Sequence, residues 1–389
     1  MTAHPRRRLR LGMVGGGADA FIGAVHRLAS RIDDRYEFVA GALSSTPEKS
    51  IASGRALGLA EDRCYPDYRT MAAAESKRPD GIDVVAIVTP NHMHHGPAAA
   101  FLEAGIHVIC DKPMTTTTAD AVDLVHRVRR SGLVFGLTHN YTGYPLVRQA
   151  REMVAAGELG EIRVIQACYI QGWLATKLEA SGQKQASWRT DPKRSGAGGS
   201  IGDIGTHAYN LACFVSGLEA SHLAAQLTSF VEGRQVDDDA QILLRYESGA
   251  RGTLWSSQVA VGEENNLTLR IYGTKGGLVW AQETPNEMTF LPLGGRPQRI
   301  TRGGAGLGDA AGHSTRVPPG HPEGYQEAFA TLYRDIADMI HARMEGAPPP
   351  PTAALVPTVE DGAKGVRFIE AAVESSRNNA AWTSLALEL

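Results

Sequence analysis

The chain has 389 residues, 43% of them hydrophobic, with 39 Lys plus Arg against 42 Asp plus Glu. That length fills two or three domains with substantial cores, and the near-even charge balance gives no broad electrostatic pull toward nucleic acid or a membrane surface. Four cysteines, at 64, 110, 168 and 213, have neither zinc-site spacing nor the density of a secreted disulfide scaffold, so neither disulfide nor metal is expected to hold the fold.

Arg6, Arg7, Arg8 and Arg10 read as a solvated N-terminal arm. The apolar residues after them run straight into glycines without forming a signal core, and nowhere is there the run of ~20 apolar residues that a membrane span needs. A cytoplasmic protein is expected. Apolar runs at 9–14, 36–43, 82–88, 107–110 and 134–138 then read as strands, separated by helical patterns at 21–32, 48–57, 96–104 and 119–130. Near-continuous apolar strands alternating with helices predict an α/β domain built on a parallel sheet. The rhythm changes near residue 140, which predicts a first domain over 1–140 and a second over 141–389, the C-terminal helices being candidates to pack back on the first. After a helix at 146–156, strand patterns at 162–169, 224–231, 239–246, 252–259, 267–272, 276–280 and 288–292 predict a large, mostly antiparallel open sheet with one helix inserted after Gly205. Residues 301–323 are glycine-rich without periodicity, as in a mobile surface loop or a lid. Helices at 325–344 and 359–375 follow, divided by the proline run at 348–351.

The first strand opens into Gly15-Gly16-Gly17, with Gly23 six residues beyond Gly17. Glycines between a first strand and a helix let a turn close tightly and let backbone approach a pyrophosphate, whose charge the helix N-terminus then meets. Gly15, Gly17 and the opening residues Ala20, Phe21 and Ile22 are therefore the expected dinucleotide cradle, although Gly23 comes three residues later than the usual G-x-G-x-x-G spacing. After the second strand, where an acidic residue would select NAD, the chain has Ser44-Ser45-Thr46 with Lys49 downstream. Ser44, Ser45 and Lys49 suit a ribose or a 2′-phosphate, so the cofactor is expected to be NAD with NADP left open.

Ligands of such sheets lie beyond the carboxyl ends of the strands. Thr89, Pro90, Asn91 and His94 leave one end, and Asp111 and Lys112 leave another. The cluster His92, His94, His95 lacks a carboxylate or cysteine partner, and hydride transfer needs no metal, so no metal is expected. In the second domain Asp203 and His207 are four apart in a glycine-rich segment. On one helix face, a carboxylate bonded to imidazole would fix its tautomer and free the other nitrogen to take an alcohol proton. A helix-capping aspartate beside a packed histidine is the plain alternative. Trp188 and Arg189 offer an aromatic face and a guanidinium, and Gln171, Trp173, Tyr141 and Tyr144 are further candidates of the same kind.

Together these motifs resemble the glucose-fructose oxidoreductase and inositol dehydrogenase family (Gfo/Idh/MocA): the glycine turn, Thr89-Pro90-Asn91-His92, Asp111-Lys112-Pro113 in place of Glu-Lys-Pro, and the Gly-Gly-x-x-x-Asp-x-Gly-x-His segment ending at His207. The resemblance implies an N-terminal Rossmann domain and a C-terminal α/β domain whose open sheet is used in dimer or tetramer assembly. It assigns Lys112, Asp203 and His207 to catalysis, and Asn91, Lys112 and Tyr141 to the nicotinamide region. Asn140, Trp188 and Arg189 complete the expected cofactor set. The expected substrate set is Lys112, Tyr141, Tyr144, Gln171, Arg189, Asp203, Ile204 and His207. Asn210 stands where polyol dehydrogenases frequently have aspartate, and the segment from 174 to 187 is longer than a minimal member needs. The expected activity is NAD(P)-dependent hydride exchange with a ring hydroxyl of an inositol, sugar or sugar derivative. His207 would be base, Asp203 its support, and Lys112 the cation that meets developing negative charge. Transient oxidation followed by elimination, or a non-catalytic dinucleotide sensor, are the rival readings.

Overall fold

The computed structural model describes residues 6–389. Strands β1 (Leu9–Gly15), β2 (Tyr36–Ala42), β3 (Val84–Val88), β4 (His107–Cys110) and β5 (Phe135–Leu137) alternate with helices α1 (Phe21–Ile32), α2 (Pro47–Ala56), α3 (Tyr68–Glu75), α4 (His95–Glu103) and α5 (Thr118–Ser131). The five strands pair in parallel in the order β2-β1-β3-β4-β5. β3, β4 and β5 are buried along their whole length, because helices cover both faces. β2 and β3 flank β1 on opposite sides, so the strand order reverses there and opens a crevice at the carboxyl ends of β1 and β3.

The second part begins with α6 (Pro145–Ala155) and β6 (Ile162–Ile170), followed by the short helices α7 (Lys184–Arg189) and α8 (Pro192–Ser195). A π-helical turn, Ile201–Gly205, runs directly into α9 (Thr206–Ser216). Then come β7 (Ala220–Thr228), β8 (Asp239–Tyr246), β9 (Arg251–Ser257), β10 (Asn266–Gly273), β11 (Gly276–Ala281), β12 (Glu287–Pro292) and β13 (Gln298–Thr301). The chain ends with α10 (Asp309–Ser314), α11 (Tyr325–Met344), α12 (Val359–Arg377) and β14 (Thr383–Ser384). The nine strands form one sheet in the order β13-β12-β11-β10-β6-β9-β8-β7-β14. β6 and β9 are parallel and the other pairings antiparallel. β8 alternates buried and exposed residues, since the sheet has one face on the core and one open. Val164, Leu243 and Tyr272 are exposed apolar side chains of β6, β8 and β10.

The last two long helices join the two sheets. Phe329, Tyr333, Ile336 and Ile340 of α11 share a core with Leu9, Leu11, Val25 and Val84 of the parallel sheet and its cover. The first half of α12 (Val359, Ala363, Val366) packs with Leu124 and Leu137, and its second half (Phe368, Ile369, Ala371, Ala372) packs with the core of the nine-stranded sheet. Among the described residues no helix is long and apolar enough to cross a membrane.

The structure corrects three sequence expectations. β7 starts at Ala220, four residues before the predicted strand. α3 was unforeseen and is capped by Asp67, whose carboxylate accepts from the Arg69 and Thr70 amides. Residues 301–323, left open in the sequence as a mobile loop or a lid over a site, contain α10 and are stapled down by ion pairs. Buried Arg302 pairs with Glu323 at 2.8 Å and donates to the carbonyls of Val317, Pro318 and His321. Arg316 pairs with Asp33 at the C-terminal end of α1. A 12-residue helix is about 18 Å long, so this brace lies roughly that far from the glycine turn at the other end of α1.

Candidate active site

The glycine turn is tight for steric reasons. Gly15 and Gly16 have φ of +75° and +61°, a left-handed backbone that costs other residues strain. A Cβ on Gly15 would lie 2.3 Å from the Val88 carbonyl oxygen, and one on Gly23 would lie 2.2 Å from that of Gly16. Gly23 therefore performs the close helix-to-turn packing of a third fingerprint glycine, and the extra residues Ala18 to Ala20 loop outward. Asp19 is exposed and faces Lys49 at 4.0 Å. Ala20 is the residue before α1, Phe21 and Ile22 begin it, and Phe21 is exposed. Ser44 and Ser45 leave β2 beside Lys49 of α2. Sequence reasoning missed Arg27, buried beneath the turn and donating to the Gly16 carbonyl.

The loops after β3 and β4 are locked together. His94 is fully buried, and its two ring nitrogens face the Pro113 and Thr89 carbonyls at 2.8 Å each. It is a strut between the two loops, with no nitrogen left for a cofactor, which corrects its expected role. Thr89 donates to the Met93 carbonyl, and Pro90 precedes a short helical turn. The Asn91 side-chain amide donates to the Ser195 carbonyl across the domain junction at 2.9 Å. Asp111 accepts from Thr138 at 2.6 Å and lies 3.1 Å from His26. Burial opposes its ionisation, but His26 and Thr138 hold its carboxyl down at about 2. His95 has a carboxylate partner that the sequence did not show, pairing with Asp123 at 2.8 Å.

Lys112 reaches across from the first domain to Asp203 in the π-helical turn. Its ammonium donates to both the Asp203 backbone carbonyl and its carboxylate, the latter at 3.2 Å. The other carboxylate oxygen accepts from Arg189 at 3.0 Å and from Gln258 at 2.9 Å. Burial would push the Asp203 carboxyl up, but Arg189 and Lys112 together hold it well below the ordinary range. Arg189 also stacks on the Trp188 ring, 4.3 Å from its centroid. The helix carrying this turn is capped from a distance: the Gly199 and Ile201 amides donate to the Asp237 carboxylate at 2.6 and 2.8 Å.

Asp203 does not touch His207, contrary to expectation, nor does it cap the helix. Both cations and the Gln258 amide occupy its oxygens, and charge-assisted bonds outcompete one from a neutral imidazole. His207 Nδ1 instead lies 3.4 Å from His139 Nδ1, with the rings edge to face at 84°. Burial, then Lys112, then His139 push the His207 pKa far down, and burial with Lys112 lowers that of His139 to about 3, so both rings are neutral. His139 was missed, although the carboxyl end of β5 pointed to it.

Tyr141 packs its ring edge to face with that of His207, 4.8 Å between centroids, and bonds Tyr169, which donates to Asn265. Gln171 also donates to Asn265 and accepts from Trp173. Two expected substrate contacts are core instead. Tyr144 is buried behind Tyr141 against Trp280, with its hydroxyl on Gln282, and Ile204 packs in the second core because its side chain turns to the sheet.

The residues present fit a dinucleotide. Side chains would fill the space that the glycines leave at the turn, and buried Asn140, at the carboxyl end of β5, has an amide nitrogen with no partner among the described residues. Lys112, Asp203, His207, His139 and Tyr141 gather beyond the same strand ends, where a small molecule would meet the reactive end of that cofactor.

Comparison with known proteins agrees with this geometry. Residues 9–139 match the model of the oxidoreductase family with an NAD-binding Rossmann fold, and residues 147–279 match the GFO/IDH/MocA C-terminal domain. The oxidoreductase YfiI of Bacillus subtilis strain 168 is 35% identical over 96% of each chain. An oxidoreductase structure from Sinorhizobium meliloti is 52% identical, with TM-score 0.87 over 97% of this chain and 99% of that one. A structure of an inositol dehydrogenase homologue from Azotobacter vinelandii complexed with NADH and myo-inositol is 36% identical, with TM-score 0.89 over 97% and 98% of the two chains. With this turn, these interdomain contacts and matches along nearly its whole length, the chain belongs to the Gfo/Idh/MocA family of NAD-binding oxidoreductases.

Proposed function

We propose that the chain is an NAD-dependent dehydrogenase that moves hydride between the nicotinamide and a ring hydroxyl of an inositol or related sugar. The observation that carries this reading is the Lys112 ammonium, fixed by Asp203 beside the neutral imidazole of His207. The Azotobacter relative, complexed with NADH and myo-inositol, supports the substrate class. Bound NAD would take up the hydride from the carbinol carbon. Gly15, Gly17 and the first residues of α1 would hold its pyrophosphate, Ser44 and Ser45 its adenosine ribose, and Asn140 its nicotinamide end. His207, kept neutral by burial and by Lys112, is free to accept the hydroxyl proton. Lys112 offers a preorganised cation to the oxygen as negative charge develops. Asp203 holds Lys112 in place, while Arg189 and Gln258 hold Asp203. Arg189, Gln171 and Tyr141 border the same space and would contact the remaining hydroxyls.

The open face of the nine-stranded sheet, with Val164, Leu243 and Tyr272 exposed, is the surface on which we expect copies to pair into a dimer or tetramer. The test of the activity is a panel of inositols, aldoses and anhydrosugars followed at the reduced-nicotinamide absorbance, with NAD and then NADP. In the protein with His207→Ala, turnover of the best substrate should fall by about 10²–10⁴-fold while NAD binding is retained. Equal loss of both would assign His207 to folding and remove it as the base.

A further inference from the structure

His207 and His139 are the only pair of imidazoles whose ring nitrogens face one another among the described residues. Both are buried, at 7% and 2% exposure, and neither Nε2 has a protein hydrogen bond among the described residues. Two neutral imidazoles meeting Nδ1 to Nδ1 fit only as opposite tautomers, since one nitrogen must carry the proton and the other the lone pair. Only the arrangement with the proton on His207 Nδ1 leaves the His207 Nε2 lone pair free for a substrate hydroxyl, and we infer that His139 is a positioning residue for the proposed base, accepting that Nδ1–H. The choice of donor and its consequence in turnover rest on the dehydrogenase reading; the facing of the two rings does not.

His139 thus does the work that a carboxylate performs in many histidine bases. A carboxylate would stabilise a buried imidazolium strongly. A second neutral imidazole does so more gently and also spreads part of the charge through the Nδ1–H···Nδ1 hydrogen bond, in which the proton stays on His207 when Nε2 gains its own. The proton lost by the hydroxyl ends on His207 Nε2, and the pair makes or breaks no other bond. Dispersal matters here because the ammonium of Lys112, from the loop after β4, opposes any added positive charge on either ring. The other titratable groups around the pair are Asp203 in the π-helical turn, Tyr141 after β5 and Tyr169 on β6. Of these only Asp203 is anionic, and its oxygens are already engaged by Lys112, Arg189 and Gln258.

The test uses the NAD-bound protein labelled with ¹⁵N-histidine, with the His207 resonances identified by their loss in the protein with His207→Gln. The expected wild-type tautomer of His207 has its proton on Nδ1. His139→Phe keeps an aromatic ring in the T-shaped packing but removes the acceptor. It should move the His207 proton to Nε2 and lower kcat by about 10²-fold or more, with KM and NAD affinity kept. His139→Asn, whose carbonyl oxygen can stand near the Nδ1 position, should restore the Nδ1–H tautomer and most of the turnover. A wild-type His207 protonated on Nε2, or a tautomer unmoved by His139→Phe, overturns the inference. Should no sugar or inositol be oxidised, the dehydrogenase reading fails while the tautomer measurement still decides whether His139 orients His207.

Discussion

Replacing Gly23 with Ala tests whether the lengthened turn is a dinucleotide cradle. The added methyl carbon would lie 2.2 Å from the Gly16 carbonyl oxygen, 2.5 Å from its Cα and 2.6 Å from its carbonyl carbon, where ordinary contact begins near 3.4 Å. All three atoms are backbone, so no side chain can swing aside, and α1 must part from the turn by about an ångström. Overpacking of this kind costs about 1–3 kcal/mol. Without cofactor the turn can relax outward and recover part of that cost. Binding requires it to close again, so most of the penalty should appear as weaker affinity, about 5- to 150-fold in the Kd for NAD, each 1.4 kcal/mol being tenfold. Calorimetric titration of NAD, paired with a thermal melt, reads the two shares. Gly312→Ala in α10 is the control, because a Cβ there meets nothing within 4 Å; it should leave NAD affinity unchanged. If Gly23→Ala binds NAD as tightly as the wild type with an unchanged melt, Gly23 is not the close-packing glycine and the cradle lies elsewhere.

Asp203→Asn should reduce kcat far more than it changes the Kd for NAD, since it leaves Lys112 and Arg189 without the carboxylate they share; a proportional loss of NAD binding would contradict the separation of the two sites. Arg148 and Asp335 form an ion pair with both side chains fully buried, 2.6 Å apart. Arg148→Met leaves the carboxylate with His313 alone and should cost about 3–5 kcal/mol in urea unfolding, whereas the pairing of Arg148→Met with Asp335→Leu should recover much of it. Asp111, held at about 2 against an ordinary 3.8, contributes stability that is complete above pH 4 and disappears as pH falls toward 2. At about 1.4 kcal/mol per unit this amounts to about 2 kcal/mol. Asp111→Asn should therefore flatten the acid limb of the stability curve between those values, and an unchanged limb would count against the His26 and Thr138 contacts.

Local periodicity carried most of the fold. α1 and β4 occupy the residues their apolar patterns predict, and β8 spans Asp239–Tyr246 with the alternation a half-buried strand requires. β7 slid by four residues because its sequence, rich in Ala, Ser and His at the start, gives little apolar contrast there. α7 and α8 are six and four residues long, too short for any period to register. The stapling of 301–323 was invisible for another reason. Arg302 and Arg316 find partners 21 residues ahead and 283 behind, and nothing in a glycine-rich stretch announces a buried ion pair.

The site shows the same limit in sharper form. Spacing placed Asp203 and His207 on adjoining parts of one helix, and the strand-end rule brought Lys112 to the same cleft. Spacing could not say which group Asp203 would serve. That depended on Lys112 from 91 positions earlier in the chain, Arg189 from 14 earlier and Gln258 from 55 later, all delivered by tertiary structure. Once two cations have reached a carboxylate, a neutral imidazole gains little by competing for it, and His207 turns to the nearest neutral acceptor. On the proposed reading the division of labour follows from charge: the acid positions the cation, and one histidine positions the other. A base supported this way gains its proton beside Lys112 without a carboxylate to offset the charge. Returning that proton to solvent would be correspondingly easy, as the proposed dehydrogenase requires of a site that resets after each oxidation.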